Sequence, residues 1–431
     1  MTVQPMPTYQ RSMQRLRPVA YSQPETYLLN RAQVEMAMTL IPDAYTSVDF
    51  YDMEQERVFA KSWVYVACLS DFKKPGDTVV ARVAGQSVVV VQNKEGQLRA
   101  FYNVCRHRGA KLVEEGCTHL RKMFRCPYHS WAYDFDGACL GTPLFTNSDI
   151  PPDQQGIFDM SDIRAFDKAD YGLYPVKLEA WGFLVFVNLD PNAAPLSEQL
   201  GDLPSRCAEY RLQEWEVVRE KTYDIHANYK VVAENFMEYY HLPWVHPELA
   251  KVSKMEDHYR WQGAGMYTGM TTWPISQNTD EGGFQGVPDV NFLTGTNQNA
   301  GRFIWLFPNI AINLLPNHLL ILVAQPDGPA RTIETLRILC HPDSMQADGV
   351  ESEIDELLAF SHMINMQDME IVKRVQEGLN IKAYDGGRMC YRFEEPLHRF
   401  QNMIIDRMLG IHRVPEGDDE IQTPMFVNGT D

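Results

Sequence analysis

No stretch of this chain stays apolar for the roughly 20 residues that a bilayer-spanning helix needs. Candidates such as Leu319–Ala324 and Val88–Val91 are only strand-length. Positive charge is scarce as well. The 39 Lys and Arg stand against 57 Asp and Glu, and the resulting net charge of −18 argues against nucleic acid or an anionic membrane as partner. The same imbalance suits cationic ligands. Cysteine is sparse, with 8 in 431 residues, far from a disulfide-stapled scaffold. A cytoplasmic, reducing location is expected, so the question becomes which cysteines bind metal. No Gly-rich dinucleotide fingerprint follows a strand, so neither a flavin nor a nicotinamide site is expected within the chain. Repeats, low-complexity tracts and a secretory hydrophobic region are missing too. Residues 1–24 lack Asp and Glu but carry Arg11, Arg15 and Arg17, a composition like that of an organelle transit peptide. The plainer expectation for residues 1–45 is an N-terminal arm packed on the catalytic domain, with a short helix around Leu28–Leu40.

What is present suits a globular protein of two domains: 431 residues, 45% of them hydrophobic. From 46 to 180 the texture is short strands between turns, with Thr78–Val83, Ser87–Gln92 and Leu98–Asn103 rich in β-branched and aromatic residues. Gly182–Asn188 reads as another strand. Over 181–431 long helices mix with strands: helices at Ala227–Tyr240 and Gly349–Leu379, and antiparallel strands at Arg302–Leu306, Ile310–Leu315, His318–Ala324 and Thr332–Leu339. The coarse expectation is α+β, a small all-β domain followed by a larger mixed one.

Two segments of the first domain each offer one thiolate and one imidazole: Cys105-Arg-His107-Arg-Gly and Cys126-Pro-Tyr-His129-Ser-Trp, with 18 residues between His107 and Cys126. Two Cys plus two His suit tetrahedral Zn²⁺ or a [2Fe–2S] cluster in which histidines replace two cysteines on one iron. Zinc fingers normally take both cysteines from one hairpin and both histidines from one helix. Here each loop gives one of each. The two segments closely resemble the Rieske pattern Cys-x-His-Arg-Gly followed by Cys-Pro-Tyr-His-x-Trp. That resemblance implies a [2Fe–2S] cluster held by Cys105, His107, Cys126 and His129, able to accept one electron and pass it on. Cys117, His119 and Cys139 do not fit the pattern and read as packing or surface residues.

A second group lies in Glu234-Asn235-Phe-Met-Glu238-Tyr-Tyr-His241-Leu-Pro-Trp-Val-His246. Residues five apart on an unbroken helix point about 140° away from each other and could not share a metal. Pro243 should break the helix between the two histidines and let His246 swing towards the metal that His241 faces. A third ligand must come from elsewhere. Asp368 falls on the apolar stripe of a helix carrying Ile364, Ile371, Val372 and Val375, where a carboxylate is costly unless paired or metal-bound. Two histidines and one carboxylate form the open-sided triad of non-haem Fe(II) oxygenases.

These segments, with Gln367-Asp368 leading to Val375-Gln376-x-Gly378-Leu379, are similar to the iron-site motifs of Rieske oxygenase α subunits. The similarity spans most of residues 45–380. It implies Fe(II) at His241, His246 and Asp368, a helix-grip catalytic domain, Asn235 and Glu238 as catalytic-site residues, O₂ as co-substrate and a separate NAD(P)H-dependent flavin or ferredoxin-type reductase. It also implies a homotrimer, in which Glu238 bridges to the Rieske histidine of a neighbouring subunit. Ring-hydroxylating dioxygenases usually have Asp at this position, whereas the carnitine monooxygenase group has Glu. Phe307-Pro-Asn309-Ile-Ala-Ile-Asn313 further resembles a stretch of choline and glycine betaine monooxygenases. The expected activity is hydroxylation of a C–H bond beside a quaternary ammonium, as in glycine betaine demethylation or choline and carnitine oxidation. The alternative is an aromatic-ring dioxygenase or O-demethylase using the same metals. A trimethylammonium group would suit an aromatic cage, for which Tyr239, Tyr240, Trp244, Trp261, Tyr267, Trp273, Phe303 and Trp305 are candidates.

Overall fold

The computed structural model describes residues 16–145, 150, 156–157, 166–275 and 286–422. Arg11 and Arg15, on which the transit-peptide reading partly rests, lie outside the described residues. The chain divides into two compact units, one of residues 59–196 and one of residues 1–58 with 197–431. This moves the expected boundaries from 45/46 and 180/181. The reason is pairing: β10 (Leu184–Asn188) lies antiparallel between β1 (Val64–Cys68) and β9 (Lys177–Trp181), so the smaller unit keeps that strand. At the other junction, the helix Val48–Arg57 belongs to the larger unit, where its Glu54 is fully buried against Lys230 at 2.8 Å.

The smaller unit is built from three small sheets. One is β1-β10-β9. The second, in the order β4-β3-β2-β5, contains β2 (Asp77–Val83), β3 (Gln86–Gln92), β4 (Leu98–Tyr102) and β5 (Gly116–His119). The third is β6 (Phe124–Arg125), β7 (Ala132–Tyr133) and β8 (Cys139–Gly141). Val88 to Val91 are all fully buried, the continuous apolar run of a strand covered on both faces. The two-residue turn joining β2 to β3, Ala84-Gly85, has positive φ at both positions, the geometry that matches the twist of a tight hairpin. Cys105 and Cys126 belong to the core that these sheets enclose, with Val89, Phe101, Trp131 and Tyr133.

The larger unit is organised on one eight-stranded antiparallel sheet in the order β11-β17-β16-β15-β14-β13-β12-β18. These strands are β11 (Glu216–Ile225), β12 (His258–Gln262), β13 (Tyr267–Thr272), β14 (Gly301–Leu306), β15 (Ile310–Leu314), β16 (Leu319–Pro326), β17 (Thr332–Cys340) and β18 (Asp418–Gln422). Three helices position the site: Tyr229–Phe236, which packs against β16, the 30-residue Val350–Leu379, and Glu395–Met408, which packs against β13. A long helix packed beside an antiparallel sheet agrees with the expected helix-grip arrangement. Among the described residues no helix is long and apolar enough to cross a membrane.

Two helix expectations need correction. Leu28–Leu40 forms turns, not a helix. The Asn30 side chain donates to the Met38 carbonyl at 3.0 Å and to Gln401 at 2.6 Å, and Met38 bridges to Arg388, so tertiary partners take up groups that a helix would use. The helix expected over Ala227–Tyr240 covers only Tyr229–Phe236. Its N-terminus is capped by the Asn228 side chain, which accepts from the Lys230 N–H at 3.0 Å.

Candidate metal centres and cavity

In the smaller unit the two Cys–His segments fold into turns of matching design. The Cys105 N–H donates to the Ala110 carbonyl and the Cys126 N–H to the Trp131 carbonyl, both at 2.8 Å. Each turn closes on a residue of positive φ, Gly109 at 74° and Ser130 at 59°. The thiols are buried and lie beside one another. Burial, with the neighbouring Cys126 thiol, raises the Cys105 thiol above its ordinary range against the Tyr133 hydroxyl, which lies 3.3 Å from the sulfur. The His107 and His129 rings meet with centroids 4.7 Å apart, and His107 stacks on Trp131 at 5.0 Å. His107 Nδ1 is buried without a protein partner, and burial lowers the ring's affinity for a proton. An orphaned imidazole nitrogen beside two paired thiols fits a metal cluster. A single tetrahedral zinc fits less well, because the four side chains do not draw three or more ligand atoms within 4.8 Å of one another, as His241, His246 and Asp368 do. Cys117 is exposed on β5, and His119 pairs with Asp77 at 2.8 Å, so neither joins the group.

In the larger unit the helix ends at Phe236, so Glu238 and His241 are no longer on one continuous helix. The expected break between the histidines at Pro243 is thus displaced. The chain turns before His241, and Pro243 lies in the first turn of a short helix, Leu242–Val245, capped by His241 at one end and His246 at the other. That single turn brings the two rings to 5.2 Å, centroid to centroid. Asp368, projecting from Val350–Leu379, completes the group, with Oδ1 2.8 Å from His246 Nε2 and 3.6 Å from His241 Nε2.

Each histidine is held by its other nitrogen. His241 Nδ1–H donates to Glu238 Oε1, and the other Glu238 oxygen accepts the His241 backbone N–H at 3.1 Å. His246 Nδ1–H donates to Gln367 Oε1 at 2.7 Å. Both Nε2 lone pairs are thereby turned towards Asp368. In the neutral His246 ring, Nε2 and the Asp368 carboxylate are two acceptors facing each other, and such a contact requires a cation between them or a second proton on the ring. The donor set, two imidazoles and one carboxylate, is the one expected for Fe(II). Asn235 Nδ2 donates to His241 Nε2 at 3.1 Å, using the lone pair that a metal would use. Burial presses the His241 imidazole down, but the hydrogen bond and charge of Glu238, with the charge of Asp368, outweigh it and hold the ring above its ordinary value. Glu238 is not the solvated surface acid that its sequence also allowed: its side chain is only 11% exposed.

The group fronts a cavity of about 170 Å³ that opens to solvent. Its walls are mostly apolar, from Leu242, Leu249, Met270, Leu320, Leu336 and Ile364, and its aromatic faces come from Phe236, Tyr239, Phe303 and Phe360. Of the eight aromatics named from sequence, only Tyr239 and Phe303 are among the lining residues. Trp261, Tyr267 and Trp305 are core, while Tyr240, Trp244 and Trp273 are exposed. Sequence reasoning missed the anchoring role of Gln367 and the lining residues Phe360, Ser361 and Asn365. Their signal was present in the helical repeat, since 361, 364, 365 and 368 fall on one face.

Taken together, these units form a Rieske non-haem iron oxygenase α subunit, carrying a [2Fe–2S] domain and a mononuclear-iron catalytic domain. Residues 62–152 match the Rieske [2Fe–2S] domain model and residues 212–410 the ring hydroxylating alpha subunit catalytic domain model, and the chain belongs to this family of oxidoreductases. It is similar to the carnitine monooxygenase oxygenase subunit of Acinetobacter pittii, 26% identical over 361 residues that cover 82% of this chain and 89% of that one. The glycine betaine monooxygenase oxygenase subunit of Pseudomonas aeruginosa is 25% identical over 395 residues, covering 85% and 88%. The fold is shared with a solved quaternary ammonium Rieske monooxygenase, TM-score 0.72 at 24% identity over 87% of this chain and 97% of that one. It is also shared with naphthalene 1,2-dioxygenase from Rhodococcus, TM-score 0.68 at 19% identity, covering 87% and 95%.

Proposed function

We propose that this chain is the terminal oxygenase of a monooxygenase system acting on a quaternary ammonium compound, with oxidation at a C–H bond next to the charged nitrogen. The observation that carries this reading is the His241–His246–Asp368 group set at an apolar cavity with aromatic faces and carboxylates, in a chain whose relatives act on carnitine and glycine betaine. Cys105, Cys126, His107 and His129 would hold the cluster, and His241, His246 and Asp368 the iron. When bound, the cluster supplies single electrons and the iron, with open coordination positions, supplies O₂ activation.

The protein's own residues do the rest. Glu238 and Gln367 fix the tautomers and directions of the two histidines, and the Asn235 amide lies 3.1 Å from His241 Nε2, the nitrogen that would hold the metal. The Phe236, Phe303 and Phe360 faces offer cation–π attraction to an ammonium. The apolar walls exclude water from the reacting carbon. Attack at an N-methyl group gives formaldehyde and the demethylated amine. Attack at a CH₂ beside the nitrogen breaks that C–N bond to release the tertiary amine and an aldehyde. In choline, by contrast, attack one carbon further out, at the hydroxyl-bearing CH₂, gives an aldehyde hydrate. Electrons come from a separate NAD(P)H-dependent reductase.

The test is substrate depletion with glycine betaine, choline, carnitine and proline betaine in a system reconstituted with reductase and NAD(P)H. Stoichiometric O₂ consumption and product formation with at least one of them is expected. Oxidation of none, together with hydroxylation of naphthalene or an aromatic acid, would replace this reading with the ring-hydroxylase one.

The assembly proposed is a homotrimer in which Glu238 of one protomer meets a Rieske histidine of its neighbour, for which the exposed His129 is available. Co-expressed Asp368→Ala and Cys105→Ser chains should then regain turnover that neither has alone. Absence of any complementation in mixed trimers would refute transfer between subunits.

A further inference from the structure

We propose that the cavity selects an ammonium whose remainder is uncharged, apolar or hydroxylated, and disfavours betaines that carry a carboxylate. This inference rests on the quaternary ammonium reading above and narrows it.

Among the described residues, the acidic side chains that line the cavity have no Lys or Arg beside them in its wall. Glu238 and Asp368 line it, and behind Asn365 the buried Glu334, which burial pushes up to about 7, accepts from the Asn365 amide at 2.7 Å. No Lys or Arg is among the described lining residues. The buried Arg260 is close enough to act on the Tyr239 hydroxyl by its charge, but its guanidinium is engaged elsewhere, with the Tyr391 carbonyl at 2.8 Å and Glu395 at 3.7 Å. A divalent metal at Asp368 would roughly cancel these carboxylates and leave no net positive field for a second anion.

The polar groups left over are neutral. The Tyr239 hydroxyl and the Asn313 amide oxygen are both buried, both belong to lining residues, and neither has a hydrogen-bond partner. Orphaned groups of this kind are costly unless a ligand or water pairs with them. Tyr239 is well fixed for the purpose, its ring stacked on His258 at 4.5 Å and edge-on to Phe393 at 5.4 Å. His258 offers no cation: burial pushes it down to about 4, and its two nitrogens are taken by the Lys254 carbonyl at 2.7 Å and the Ser253 hydroxyl at 3.2 Å. A substrate hydroxyl can pair with Tyr239 or Asn313. A carboxylate would be desolvated among apolar walls and like charges, and an unpaired buried charge costs much more than a paired hydroxyl.

The experiment measures calorimetric dissociation constants on anaerobic holoenzyme for two matched pairs: choline against glycine betaine, and n-butyltrimethylammonium against γ-butyrobetaine. The carboxyl-free member of each pair should bind roughly tenfold or more tightly, because the zwitterion alone buries an unmatched charge. Tyr239→Phe should weaken choline about fivefold and n-butyltrimethylammonium less than about twofold, the loss expected of one hydrogen bond. Asn313→Leu is a second variant with the same expectation should Tyr239→Phe not fold. Equal or tighter binding of glycine betaine and γ-butyrobetaine would overturn the proposal and leave the ammonium reading intact. If none of the four binds or is turned over, the ammonium reading and this proposal fall together.

Discussion

In the smaller unit, all four proposed cluster ligands lie between Cys105 and His129, on two turns that repeat one hydrogen-bonding pattern. In the larger unit the proposed iron ligands are a histidine pair around one helical turn and a carboxylate 122 residues further on. The two regions also treat their histidines differently. His107 presents a buried, unpartnered Nδ1 to the proposed cluster, whereas His241 and His246 turn Nε2 towards Asp368 and are held at Nδ1 by Glu238 and Gln367. A site built from neighbouring turns takes its geometry largely from local backbone. A site assembled across a fold needs side chains whose only task is aiming.

The sharpest way to break this comparison is to destroy one region and read the other. Asp368→Ala should leave the visible spectrum of the Rieske cluster intact, lower iron from three to two per chain, and reduce turnover to below about 1% by removing the only anionic ligand. Cys105→Ser should abolish the cluster spectrum and turnover together. Retained O₂-dependent turnover in Asp368→Ala would show that the iron assignment is wrong.

Gln367→Ala tests whether aiming matters. Losing the partner of His246 should cost roughly 10- to 100-fold in iron affinity or kcat, with the cluster unchanged. A variant with wild-type iron content and rate would place Gln367 outside the machinery. On the cluster side, Tyr133→Phe removes the hydroxyl beside the Cys105 sulfur. The donor stabilises the more negative, reduced state, so its loss should move the midpoint potential downward by tens of millivolts, read by redox titration.

The smallest effect concerns stability in the larger unit. Burial pushes Glu234 up to about 7, against hydrogen bonds from Tyr45 at 2.7 Å and Gln401 at 2.9 Å and the nearby charge of Lys230. A carboxyl whose folded value is raised favours the protonated form. Its contribution is full below the ordinary carboxylate range and is lost as pH rises through about 7. Wild type should therefore lose a few degrees more in Tm between about pH 5 and about pH 8 than Glu234→Gln does. An identical pH dependence in the two proteins would rule out this source.

The two regions also differ in how legible they were. The strands around Thr78–Val83, Ser87–Gln92 and Thr332–Leu339 follow from β-branched runs and fall within a residue or two of their observed bounds. The Gly349–Leu379 helix does likewise, because 30 residues of helical repeat leave little ambiguity. The helix Glu395–Met408 and the strands β11 to β13 were not read. They are set by pairing and packing with distant parts of the chain, as β11 pairs with β17, and such pairing is invisible in a local window. The Leu28–Leu40 stretch failed for the same reason, since Gln401 and Arg388 hold it open.

By itself the sequence determined the chemistry on offer: two Cys–His turns, a histidine pair around a proline, one acid on an apolar helical stripe, and an excess of negative charge. Those follow from residue identity and short spacing, which the backbone translates directly into local geometry. Only the tertiary structure decided that the chain turns before His241, that Gln367 and Glu238 aim the rings, and that the cavity takes Phe236 and Phe360 while Trp261 and Trp305 go to the core. Each of these depends on which elements pack together, and packing is settled by contacts between residues far apart in the chain.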